Sequence, residues 1–185
     1  MSSSSLQKAR QRMEGAIEAL RREFAGVRTG KASPALLDTI RVSAYGSMVP
    51  LNQVGTVAAP EPRMLTVQPW DRGLIKDVER ALRESDLGLN PSNDGALIRI
   101  PIPPLTEERR KEYVRLLHKQ AEEARVAVRH VRKEANDEAK HRQKDEGLSE
   151  DDVRREQAEV QKLTDQFIAR VDELLKHKEA EVMEV

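Results

Sequence analysis

The sequence predicts an α+β protein in which a discontinuous three-helix bundle carries a small inserted β/α/β domain. Three observations lead there. All nine prolines lie between Pro34 and Pro104, so residues 1–33 and 105–185 are free of the residue that long helices exclude. Both flanks repeat their apolar residues every seven positions. The middle stretch instead alternates β-branched residues with turn formers.

In the first flank Leu6, Met13, Leu20 and Val27 form one row, with Ala9, Ala16, Ile17 and Phe24 between them. Such spacing makes the seam of a narrow bundle. After the insert, Thr106 suits an N-cap, and Glu107 and Glu108 suit the positive end of the helix dipole. Val114, Ala121, Val128 and Ala135, with Leu117, Ala124 and Val131, continue a seam to about Glu146. That helix would run to about 60 Å at 1.5 Å per residue. Gly147-Leu148 breaks the period, and Ser149 to Asp152 resembles a capping box ending in aspartate. A third seam follows at Val153, Val160, Phe167 and Leu174, with Leu163 and Val171. Each stripe needs two partners, so residues 1–29 are expected to pack on 105–185.

Residues 31–104 form the expected inserted domain. Its candidate strands are Leu37–Tyr45, Val49–Leu51, Val54–Ala58, Met64–Gln68 and Ala96–Ile100. Asp71 would cap one helix, whose apolar face holds Leu74, Ile75, Val78, Ala81 and Leu82. The stretch from Ser85 to Asp94 reads as turns. The chain crosses between domains near 29–31 and 101–105. Thr29 and Gly30 on one side, and Pro103, Pro104 and Leu105 on the other, make an expected hinge of limited swing.

Composition narrows the function classes. Thirty-two basic residues balance 32 acidic ones, so attraction to a polyanion must come from local charge distribution. Cysteine is absent, which removes disulfides, thiolate metal sites and cysteine nucleophiles. No stretch approaches the roughly 20 apolar residues of a membrane span, and the expected location is the cytoplasm.

Gly26-Val-Arg-Thr-Gly30-Lys31-Ala32 has three residues between its glycines where a phosphate loop needs four, and alanine where a hydroxyl must ligate magnesium. His118, His130, His141 and His177 are spaced too widely for a metal site. No catalytic triad or cofactor-binding turn is present, so the expectation is no enzyme, no metal and no cofactor.

The long second-flank helix is more informative. Lys111, Arg115, His118, Arg125, Arg129, Arg132, Asn136 and Lys140 share one broad face, with Glu122 as the main intruder. Arg125, Arg129 and Arg132 are four and three residues apart, so their guanidiniums point the same way. Spacing alone leaves this stripe open between a solvated face paired with neighbouring helices and a seat for phosphates, to which arginine's fork is suited. The lack of interleaved aromatics argues against single-strand stacking, which leaves a folded RNA recognised by shape. A coiled-coil adaptor binding another protein's helix through the seam is the competing class.

Several segments then resemble the bacterial ribosome recycling factor family: Val27 to Pro34, Ser85 to Pro91, Pro103 to Lys111, Ala124 to Lys133 and Gln161 to Asp165. The resemblance covers essentially the whole chain. It implies an L-shaped monomer that binds the post-termination ribosome through large-subunit ribosomal RNA. With elongation factor G, which hydrolyses GTP, it would separate the subunits and release mRNA and tRNA. Arg132 and Arg129 match the family's RNA-contacting arginines. Arg125 and Lys133 stand beside them, and Arg28 and Lys31 lie near the elbow. His130 replaces the family's usual asparagine, and Lys31 its usual arginine, which removes a bidentate fork.

Overall fold

The computed structural model describes residues 2–184. It separates into two compact units. The first contains the N-terminal helix through Arg28 together with Glu107–Met183; the second contains Thr29–Thr106 and Glu184 near the chain's end.

The first unit is a bundle of α1 (Ser2–Ala25), α3 (Glu107–Asp145) and α4 (Glu150–Met183), in which each helix packs against the other two. Its seam is apolar but for one threonine. Ala9, Met13, Ile17, Leu20, Phe24 and Val27 meet Leu117, Ala121, Ala124, Val128, Val131 and Ala139 from α3. α4 supplies Val153, Val160, Leu163, Phe167, Val171, Leu175 and Val182. Thr164 is the buried polar residue of this seam, and its hydroxyl donates to the Val160 carbonyl at 2.8 Å, so burial leaves no orphaned donor.

The seam departs from a strict seven-residue repeat near its end. Leu174 is only half-buried, and Leu175 occupies the core. A helix of 3.6 residues per turn drifts by about 20° per heptad, so over several turns the inward position moves on by one residue. The junction between α3 and α4 follows local chemistry. Gly147 takes φ +72°, the left-handed conformation that ends a helix. The Ser149 hydroxyl accepts from the Asp152 amide at 3.1 Å and donates to the Asp152 carboxylate at 2.6 Å, closing the N-terminal cap of α4.

The second unit contains two antiparallel sheets and one helix. Strands β1 (Arg41–Ala44) and β2 (Ser47–Pro50) form a hairpin, with Val42 opposite Val49. Strands β3 (Gly55–Glu61), β4 (Met64–Pro69), β5 (Ser92–Asn93) and β6 (Ile98–Pro101) form a second sheet in the order β3-β4-β6-β5. Helix α2 (Ile75–Arg83) buries Ile75, Val78 and Leu82 in a core with Leu37, Val42, Leu51, Leu65, Val67, Ile98 and Ile100. Asp71 caps the approach to it by accepting from the Gly73 amide at 2.8 Å, and a short 3-10 turn, Arg72–Leu74, leads into the α-helix.

Several strand bounds differ from the sequence expectation, and three of the differences have a local cause. The strand expected from Leu37 begins at Arg41, because Pro34 fixes the φ of a 3-10 turn, Pro34–Leu37, whose Leu37 enters the core. It ends at Ala44: Tyr45 and Gly46 both take positive φ, 50° and 82°, as a two-residue hairpin connection requires. The turn-rich stretch before Asp94 holds β5, a two-residue strand too short to leave a periodic signal.

Two outcomes are expected. Val128 is fully buried, so Val128→Asp places an unpaired charge in the seam and should cost about 3–5 kcal/mol. Loss of helical circular dichroism and of a cooperative melt would show it; native melting would displace Val128 from the core. The second concerns Asp94. Its carboxylate accepts from the Leu97 amide, the Arg99 guanidinium and the Ala96 amide, which together lower its pKa to about 2. The folded value lies below the unfolded one of 3.8, so this contribution is complete above about pH 4 and is lost as pH falls through 2. Asp94→Asn should therefore destabilise the inserted domain at pH 5 and carry a much smaller penalty at pH 2. Equal penalties in denaturant melts at both values would show that the carboxylate charge does not hold this turn.

Candidate nucleic-acid interface

α3 lacks proline and glycine over its 39 residues, so nothing interrupts the turn-by-turn spacing of its side chains. Glu107 and Glu108 occupy its first turn, and Arg142 and Lys144 its last, each opposite in sign to the dipole end it faces. At about 100° per residue, Arg125 and Arg132 fall beside the buried seam, whereas Arg129, Lys133 and Lys140 fall further round towards solvent. Arg129, Arg132, Lys133 and Lys140 line a shallow open depression on the outer side of α3, with Asp137 as its acidic member. The exposed Val126 forms part of its floor.

The expected site residues do not all stand alike. Arg125 differs from an open arginine in being paired with acids on both sides. Its side chain is 18% exposed, and its Nε and Nη2 donate to Asp172 of α4 at 2.9 and 2.6 Å. Its Nη1 donates to Glu122 at 3.0 Å. Its place beside the seam brings it within reach of an acid on the facing helix, and it clamps α3 to α4. Arg129 is more exposed and donates to the other Glu122 oxygen at 3.0 Å. Arg132 reaches the neutral Gln161 Oε1 of α4 at 3.3 Å, leaving its charge without a counter-ion. Lys133 is exposed and has no partner among the described residues.

Arg28 is exposed just past α1. Lys31, in the second unit, lies 2.7 Å from the Glu184 carboxylate. Thr29 and Gly30 follow α1, while Pro103, Pro104 and Leu105 precede α3, all outside helix and strand. Towards the start of α3, Lys111 pairs with Glu107 and His118 with Glu179 of α4, so the basic character concentrates between Arg129 and Lys140. His130 bonds Glu134, which also accepts from Arg12 of α1.

Sequence reasoning missed the ion pairs that tie the three helices together. Arg170 of α4 donates through both terminal nitrogens to Glu14 of α1 at 2.8 Å, and its guanidinium stands 5.0 Å from the Phe167 ring centre. Arg170 thereby holds the Glu14 carboxyl below the usual range. Arg142 of α3 binds Glu156 of α4 in a half-buried pair. Helix spacing identifies partners within one helix, but not which acid of another helix will stand opposite. Among the described residues no three potential ligands cluster around a metal position, and no helix is long and apolar enough to cross a membrane.

Comparison with known proteins gives consistent likenesses. The family profile described as "Ribosome recycling factor" matches residues 20–183. A ribosome-recycling factor of Symbiobacterium thermophilum is 54% identical over 185 residues, the whole of both chains. That of Halalkalibacterium halodurans is 56% identical over 185 residues, again the whole of both. A solution structure of the ribosome recycling factor aligns with a TM-score of 0.73 at 45% identity, covering 100% of this chain and 98% of the other. A T. thermophilus ribosome recycling factor, described with E. coli elongation factor G bound to the E. coli post-termination complex, aligns with a TM-score of 0.64. It is 50% identical, over the whole of both chains.

The Arg125 geometry has a consequence for stability. In a double-mutant cycle, Arg125→Ala and Asp172→Ala should show a coupling of about 1 kcal/mol in thermal or denaturant melts. Arg132→Ala should leave the melt nearly unchanged. Zero coupling between Arg125 and Asp172 would remove Arg125 as a helix clamp.

Proposed function

The chain belongs to the ribosome recycling factor family, and we propose that it binds the post-termination ribosome and separates its subunits together with elongation factor G and GTP. Release of mRNA and tRNA follows from that separation. Likeness over the whole chain, through sequence and both units, carries the reading. Members of this family are translation factors and not enzymes; in this reading the GTP is hydrolysed by the elongation factor. The protein acts as a monomer in the cytoplasm and needs no cofactor of its own.

The bundle is the part seated on the ribosome, and its seat is the outer face of α3 on large-subunit ribosomal RNA. Arg132, Arg129 and Lys133 make the phosphate contacts there, with Lys140 continuing the basic row. Arg28 and Lys31 add contacts beside the two chain crossings. Arg125 supports the seat by fixing α3 to α4. A chain with no net charge gains affinity for RNA only where such a local cluster exists. The double fork of arginine makes the contacts directional.

Force then reaches the ribosome through a stiff body. A seam closed by three continuous helices resists bending, so a push from the elongation factor on the inserted domain is transmitted rather than absorbed. Thr29 and Gly30 on one crossing, and Pro103, Pro104 and Leu105 on the other, form the hinge that lets the inserted domain adjust while the bundle stays seated. A Cβ at Gly30 would meet no atom within 4 Å.

Arg132→Ala should leave helicity and melting intact and weaken binding to isolated large subunits by roughly tenfold at moderate salt. The slope of log affinity against log salt should become shallower by about 0.7 to 0.9 for each phosphate contact removed. Sedimentation with purified subunits, with and without elongation factor G and GTP, measures both binding and splitting. Salt-independent binding, or unchanged affinity on removal of Arg129, Arg132 and Lys133, would move the seat elsewhere.

A further inference from the structure

We propose that Glu122 is a positioning residue of the α3 seat: its carboxylate occupies Arg129 in the free protein and is drawn aside onto Arg125 when RNA phosphate arrives. This rests on the reading of α3 as the seat, and it gives Arg125 a role there other than touching RNA.

The geometry has three linked parts. Glu122 divides its two oxygens, Oε1 accepting from Arg129 and Oε2 from Arg125, each at 3.0 Å. Arg125 is itself fixed by Asp172 through Nε and Nη2, so its remaining nitrogen is presented to Glu122 from a rigid base. Arg129 has no such anchor, and it is 45% exposed against 18% for Arg125. Of the two bonds on Glu122, the one to Arg129 is therefore the one that opens with least disturbance to the bundle.

A carboxylate and a phosphate offer a guanidinium the same thing, anionic oxygens spaced for its fork. Glu122 thus orients Arg129 while leaving it exchangeable. Once Arg129 turns to a phosphate, Glu122 would face the incoming polyanion. Its other bond prevents that outcome from being severe, because Arg125 retains the carboxylate and neutralises it beside the helix. The two guanidiniums already hold the Glu122 carboxyl below the usual range, so it is charged at neutral pH in the free protein.

The test is binding of each variant to purified large ribosomal subunits at low salt, with melting curves confirming the fold. Glu122→Gln should tighten binding roughly two- to fivefold, the span of an exposed ion pair. Glu123→Gln, an exposed acid turned away from Arg129 on the same helix, should change it little. The Glu122→Gln gain should vanish when Arg129 is already alanine. Arg125→Ala should weaken binding in the natural background and much less when combined with Glu122→Gln, because no stray carboxylate is then left to shield.

An Arg125→Ala loss of equal size in both backgrounds means that Arg125 meets RNA itself or acts only through the fold, and overturns the proposal. So does a Glu122→Gln variant that binds no better than the natural protein. Failure of the seat itself has a separate signature, unchanged binding when Arg129, Arg132 and Lys133 are all removed, and would overturn both readings. Binding that depends on Arg129 but ignores Glu122 overturns only this one.

Discussion

The shared apolar seam of α1, α3 and α4 is the constraint on which the rest of this structure depends. α1 reaches its partners only after an inserted domain of some eighty residues has left and returned to the bundle. None of the three stripes is hidden by its own helix, and each becomes stable only when both others are in place. Small residues on α3, notably Ala121, Ala124 and Ala139, share the core with larger ones such as Met13, Ile17 and Phe167. A seam of this kind takes up one stripe of each helix. It also leaves most of each helix surface to solvent, which is why more than a third of the sequence is charged.

That exposed charge stands in two settings, paired across helices or open to solvent, and α3 shows how one helix divides between them. Residues beside the seam find acids on the facing helix: Arg125 meets Asp172 and Arg142 meets Glu156. Such pairs cost side-chain entropy and some desolvation, and each adds little to stability by itself. They do fix the rotation of one helix against another, which a purely apolar stripe leaves loosely determined. Residues further round the helix have no facing acid. Lys133 stands open, whereas Arg132, beside the seam like Arg125, meets only the neutral Gln161 of α4. Whether a basic residue beside the seam becomes a clamp is thus set by which residue of the facing helix stands opposite it, an acid for Arg125 and a neutral amide for Arg132.

The same distinction explains what the sequence made legible. Helix positions, the break at Gly147, the cap at Asp71 and the apolar face of α2 all depend on neighbours within a few residues, and the chain displays those directly. Leu174 and Leu175 could not be told apart, because both are apolar and only the accumulated drift of a long helix selects one. Leu37 read as strand because its apolar character was visible while the turn that places it, beginning at Pro34, was not. Ser92 and Asn93 pair with Arg99 and Ile98 across a turn, and two residues carry no period. On α3 the grouping of Arg125, Arg129 and Arg132 was correct as a matter of angle. What separated them was Asp172, nearly fifty residues downstream, and no spacing rule links a residue to an acid on another helix.

A neutral chain with a local basic face also suits a factor that must leave as well as arrive. Were the whole molecule basic, its attraction to RNA would extend over many sites and would resist release. Here the chain carries no net charge, and what attraction the basic strip exerts is screened by salt beyond a Debye length, about 8–10 Å at physiological ionic strength. In the proposed seat, binding energy would then be confined to contacts made in register, where guanidinium and phosphate touch. Displacement of the bundle by little more than one helical turn would forfeit most of that energy. A short mechanical stroke against a stiff body would therefore suffice to free the protein from the surface that had held it.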